Sequence, residues 1–163
     1  MRAPADTQLL DFTLKKMIFS AAIGAKVQAG DARLVVVPFQ YQPRINQAEL
    51  AELGLYEADG QSLVAAVRLA YSMGIIARDI APIMPGCAFD LLQDTPSQKL
   101  VRFGTAIVRR MAITRLDLLT AQQCRASGYR SKAAFLDYWA HAMPDAPAHT
   151  APWCWLIQFD FKG

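Results

Sequence analysis

The chain has 163 residues, 53% of them hydrophobic and 19% charged, with a net charge of +3. That length and composition predict one packed domain with its own core, and exclude a disordered chain or a small scaffold needing staples. No apolar run approaches the about 18 residues of a membrane-spanning helix.

Met1–Leu10 holds Asp6 and Gln8 without an apolar stretch, so it reads as a short frayed tail and not as a signal peptide. Lys16–Ser20 is a short apolar run, predicted as the first strand. Ala21–Ala29 is rich in helix formers, and Gly30 stands where a helix C-cap belongs. Ala32–Phe39 is β-branched and predicts a second strand, ended by Pro38; Tyr41–Ile45 follows as loop. Asn46 with Glu49 resembles a capping box for a helix over 46–53. After a turn at Ala58–Gly60, the apolar spacing of Leu63, Val64, Val67, Leu69, Ala70 and Met73 predicts an amphipathic helix over 61–73, closed by Gly74. Pro82, Pro85, Gly86 and Pro96 break the next stretch into loops with a short strand near 87–92. Lys99–Ile113 is the clearest strand, with Gly104 marking a bulge or bend. Thr120 with Gln123 is a second capping box, opening a short helix that ends near Gly128, and Ser131 caps a helix over 132–142. Trp153–Phe161 alternates and closes the chain as a strand: Trp153, Trp155, Ile157, Phe159 and Phe161 share one face. The order predicts an α+β fold, a small mixed barrel closed by pairing of the first and last strands.

Charge is distributed unevenly. Residues 45–98 carry seven acids against two bases, a net −5, and the flanks carry fifteen bases against seven acids, a net +8. Flanks that fold together would make a basic unit able to attract phosphate, with an acidic helical insert at about 45–98. Cys87, Cys124 and Cys154 are widely spaced and odd in number, which predicts free thiols and a reducing, cytoplasmic setting. His141 and His149 lie in no metal-ligand spacing, and no phosphate-loop or dinucleotide motif occurs, so neither a metal nor a cofactor is expected. The pair Asp90 and Asp94 reads as solvated acid in the insert.

Three stretches carry a resemblance. Met17–Ser20 followed by Ala29-Gly30 and the strand after it resembles the opening of ASCH domains, of the PUA-like superfamily. Thr114-Arg115-Leu116, Leu119-Thr120, Gly128-Tyr129, Ser131, Ala134-Phe135-Leu136 and Trp139 follow in that family's order, and Pro152–Phe159 is similar to its closing strand. The likeness covers about 16–39 and 100–161. It implies a small β-barrel with flanking helices and a role in RNA binding. Some ASCH proteins are enzymes, including an amidohydrolase of acetylated cytidine that uses a lysine and a threonine after the glycine. Those positions here are Ala32 and Val35, which can neither attack nor polarise an attacking group.

The reading is therefore an RNA- or modified-nucleotide-binding module. Phosphate contacts are expected from Lys26, Arg33, Arg102, Arg109, Arg115 and Arg130, and base stacking from Trp153, with Trp155 assigned to the core. Arg109 and Arg110 point to opposite strand faces, so one of them joins a given patch. Two alternatives stay open: a hydrolase of RNA or nucleosides with a diverged site, using Lys26, Arg33 and Tyr41, or a protein-interaction module of the kind found on mobile elements, working through 45–98.

Overall fold

The structure, a computed structural model, describes residues 12–43, 60–74, 81–97 and 99–163. Their elements in chain order are β1 (Lys16–Phe19), α1 (Ala21–Ala29), β2 (Leu34–Pro38), α2 (Gly60–Ser72), β3 (Ala88–Asp94), β4 (Leu100–Arg115), α3 (Ala121–Ala126), α4 (Lys132–Ala142) and β5 (Trp153–Lys162). Short 3-10 turns occupy Leu116–Leu118 and Ala148–Thr150. The helix expected over 46–53, with its Asn46 and Glu49, lies outside the described residues, as do Ala58 and Asp59 of the expected turn.

The described strands form one mixed sheet in the order β1-β3-β4-β5-β2, giving the expected α+β class. The expected pairing of the chain's two ends is corrected. β1 and β5 share the sheet, but β3 and β4 stand between them. β1 runs parallel to β3, from Lys16 opposite Asp90 to Phe19 opposite Gln93. β3 lies inside the stretch read as an acidic insert, so 88–94 belong to the sheet and not to an added surface.

Local signals explain why the elements begin and end where they do. Ser20 leaves β1 and caps α1, its hydroxyl accepting from the Ile23 N–H at 3.3 Å. Gly30 ends α1 at φ 82°, a left-handed conformation open to glycine, and its N–H reaches the carbonyls of Lys26 and Val27. Thr120 and Gln123 form the reciprocal capping box of α3. Ser131 accepts from the Ala134 N–H and starts α4.

By its contacts the chain divides into two units. The first takes the described residues of Met1–Arg33, Ala81–Met111 and Gln158–Gly163. Its buried side chains include Ile23 and Val27 of α1, Phe89 and Leu91 of β3, Ala106 and Val108 of β4, and Phe159 of β5. Phe89 and Phe159 meet edge to face at 5.6 Å. β3 and β4 are antiparallel, and their register slips where Leu91 faces Gly104 and Leu92 faces Arg102, so Phe103 is the extra residue of a bulge. The Phe103 ring then stands between those of Phe19 and Phe161, each 6.2 Å away. Gly104 is needed beneath Phe161: a Cβ there would run into the Phe161 ring and come 2.9 Å from the Lys162 carbonyl oxygen.

The second unit takes the described residues of Leu34–Ile80 and Ala112–Ile157. Here β5 is covered on both faces. Cys154 and Leu156 pack with Val36 of β2, Cys124 of α3, and Phe135 and Trp139 of α4. Trp153 packs on the other face with Phe39, Ile113, and Val64 and Val67 of α2, with Trp155 against that cluster. Alternation along β5 therefore separates two apolar cores, where the sequence reading expected one apolar face.

Candidate functional site

The second unit holds an open cleft of about 420 Å³ where β5 begins. Its lining includes Phe39, Gln42, Arg115, Asp145, Thr150 and Trp153. Gln42 fixes one wall. Its side-chain oxygen accepts from the Trp153 N–H at 2.6 Å, and its nitrogen donates to the carbonyls of Phe39 and Trp153, each at 3.0 Å. One side-chain amide thus extends the pairing of β2 with β5, in which the Phe39 N–H donates to the same Trp153 carbonyl at 2.9 Å.

Arg115 ends β4 and is forked onto Asp117, Nε to Oδ1 at 2.6 Å and Nη2 to Oδ2 at 2.8 Å. Two parallel bonds of this kind fix the plane of a guanidinium as well as its position. They leave Nη1 without an acceptor among the described residues. Arg115's hydrogen bonds and charge hold the Asp117 carboxyl below its usual range, with burial opposing them. Lys132 donates to the Asp117 carbonyl at 2.6 Å. Opposite, Ala151 sits at φ 48°, the one non-glycine residue with positive φ among those described. A left-handed alanine costs about 1 kcal/mol, so its surroundings hold this turn in place. The Thr150 hydroxyl donates to the Pro147 carbonyl at 2.6 Å.

The sequence-predicted residues do not gather at one place. Arg115 and Trp153 line this cleft. Trp153, expected to stack on a base, is only 6% exposed and is a member of an apolar cluster. Trp155, assigned to the core, is the more exposed of the two, and its ring lies 4.9 Å from that of Phe39. Arg130 belongs to the same unit and is exposed in the turn before α4.

Lys26, Arg33, Arg102 and Arg109 belong to the first unit and are exposed. Arg33 folds back on the end of α1, its Nε donating to the Gly30 carbonyl at 3.0 Å, and lines a second cleft of about 360 Å³ with Asp160 and Lys162. Arg102 pairs with Asp90 at 3.1 Å and also donates to Thr105. Arg109 lies 3.7 Å from Asp160. Each of Arg102, Arg109 and Arg115 thus faces a carboxylate, and the acid of the 45–98 stretch supplies one of the three. Exposed pairs of this kind contribute little to stability, about 0–1 kcal/mol, but they cancel the unbroken run of positive charge that a phosphate track needs.

Ala32 and Val35, at the positions of the amidohydrolase lysine and threonine, are buried. The described residues contain no cluster that could hold a metal ion, and no helix among them is long and apolar enough to cross a membrane. Sequence reasoning missed Gln42, Asp145 and Thr150. The only local hint was that Gln42 and Asp145 adjoin Pro43 and Pro144 and that Thr150 lies two residues before Pro152, prolines that mark turns where side chains can face a cleft.

No family model matches the chain, and no curated protein matches it. The crystal structure of protein EF3133 from Enterococcus faecalis V583, of the family DUF984, is similar to it with a TM-score of 0.46 and 9% identity, over 98% of this chain and 88% of that one. A likeness at that level assigns neither a family nor an activity.

Proposed function

We propose that the chain is an ASCH-type module of the PUA-like superfamily that binds RNA or a modified nucleotide at the cleft beside Arg115. The observation that carries this reading is the cleft itself. Its about 420 Å³ suits one nucleoside, and Arg115 brings to it a guanidinium whose plane is set by Asp117. A guanidinium held in one plane can donate to the carbonyls and ring nitrogens of a base. The cancelled cations elsewhere favour a compact ligand, or one unstacked residue of an RNA, over a long phosphate track.

Binding is favoured over hydrolysis by the lining. Its hydroxyl, Thr150, donates its hydrogen bond to the Pro147 carbonyl. Among the described residues no lysine or histidine lines the cleft to activate a nucleophile. Three free thiols fit the reducing cytoplasm as the setting.

Equilibrium binding of labelled single-stranded RNA, nucleosides and nucleotides to the full chain tests the proposal. Arg115→Ala should weaken binding by about tenfold or more, the equivalent of one lost charged hydrogen bond. Failure of the wild-type chain to bind any of these ligands, or equal binding by the variant, rejects it.

A further inference from the structure

The charge balance of the same cleft points to the part of the ligand it holds, an inference that rests on the proposed function. Among the described residues, Arg115 and Asp145 are the charged side chains of the lining. Arg115 is already bound to Asp117, and Lys132 adjoins Asp117 through its backbone carbonyl. Among the described residues, two cations and two carboxylates therefore stand at the lining or one contact behind it, and their charges sum to zero. A phosphate ester brings roughly 1.5 to 2 negative charges and is held where cations or N–H groups converge unopposed. Here it would meet the Asp145 carboxylate across a cleft whose described charges sum to zero.

Among the described charged side chains of the lining, Arg115 offers a donor and Asp145 an acceptor. Nη1 of Arg115 has no acceptor among the described residues, and Asp145, exposed in the loop after α4, has no ion pair or hydrogen bond among them. The donor groups of Gln42 and Thr150 are engaged. Gln42 uses its amide on Phe39 and Trp153, and Thr150 donates to Pro147.

We propose that the cleft selects the uncharged base of its ligand, with Asp145 accepting from an amino or ring N–H group and Arg115 donating to a carbonyl or ring nitrogen, while the phosphate stays in solvent. Carboxylates accept from base amino groups and guanidinium groups donate to base carbonyls and ring nitrogens. The ligand class is a nucleobase that presents a donor and an acceptor on one edge. Asp145 becomes the residue that decides which base is taken.

Calorimetric titration of the full chain with the ribonucleosides and their 5′-monophosphates, at low and high salt, tests this. Each nucleoside should bind within about threefold of its monophosphate and with little salt dependence. Asp145→Asn should change the ranking of the bases by about tenfold, because an amide can both donate and accept. Thermal melting of that variant, altered at an exposed position, should be unchanged. A monophosphate about tenfold tighter than its nucleoside and weakened by salt, or an unaltered ranking in Asp145→Asn, overturns the inference and leaves the proposed function standing. Absence of binding by nucleoside, nucleotide and RNA alike overturns both.

Discussion

Replacing Gln42 by alanine should loosen the start of β5 and, with it, the wall of the cleft. Three hydrogen bonds go at once, at 2.6, 3.0 and 3.0 Å. Each contributes about 0.5–1.5 kcal/mol net, so a simple sum is about 1.5–4.5 kcal/mol. The Trp153 carbonyl keeps the Phe39 N–H as its partner, which removes part of that cost. The Trp153 N–H and the Phe39 carbonyl face an open cleft where water can reach them, which removes more. The expected loss is about 2 kcal/mol, read as a lower urea midpoint with an unchanged slope. A second variant separates the amide's geometry from its bulk. Gln42→Glu retains the acceptor for the Trp153 N–H but turns a second oxygen toward two carbonyls. Its carboxyl should therefore be raised in the folded state. By linkage, the stability it contributes is present below the unfolded value, about pH 4.3, and is lost as pH rises through the folded value. Gln42→Glu should thus fall furthest behind wild type at neutral pH and approach it in acid. A midpoint for Gln42→Ala within about 0.5 kcal/mol of wild type, or a pH-independent deficit for Gln42→Glu, would refute this account of the site.

Gly104→Ala drives a methyl group into Phe161 and the Lys162 backbone, and should cost about 2–3 kcal/mol in chemical denaturation; a neutral result would show that the bulge can move aside. Ala151→Gly relieves a left-handed alanine and should raise stability by about 0.5–1 kcal/mol while weakening ligand binding, as thermal shift and titration would show together. Asp117 has a lowered folded pKa through Arg115, so the stability it contributes is present above the unfolded value near 3.8 and is lost as pH falls through the folded one. The stability gap between wild type and Asp117→Asn should hold steady at neutral pH and close below about pH 4. Burial pushes the Cys154 thiol up to about 12 and raises that of Cys124. The folded chain should therefore react with a thiol reagent at Cys87 alone, and three fast equivalents would contradict the burial.

What could be read along the chain was what a few neighbouring residues settle among themselves. Ser20, Gly30, the Thr120 and Gln123 pair and Ser131 mark helix ends because a cap is made within three or four positions of its backbone partner. The alternation of Trp153–Phe161 likewise marks β5 as a strand from the sequence alone. Tertiary structure decided the rest. Nothing in the alternation says that Cys154 and Leu156 meet α3 and α4 while Trp153 meets α2, or that Trp155 is therefore the more exposed tryptophan, because burial depends on which element covers each face. The cations of the sequence read as one basic surface. Folding set Arg102 beside Asp90 and Arg109 beside Asp160, since charges from distant segments cancel only when strand register brings them together. The same holds for Gln42 and Trp153, 111 positions apart in the chain, whose three-bond bracket shapes the cleft and exists only once β2 and β5 have paired.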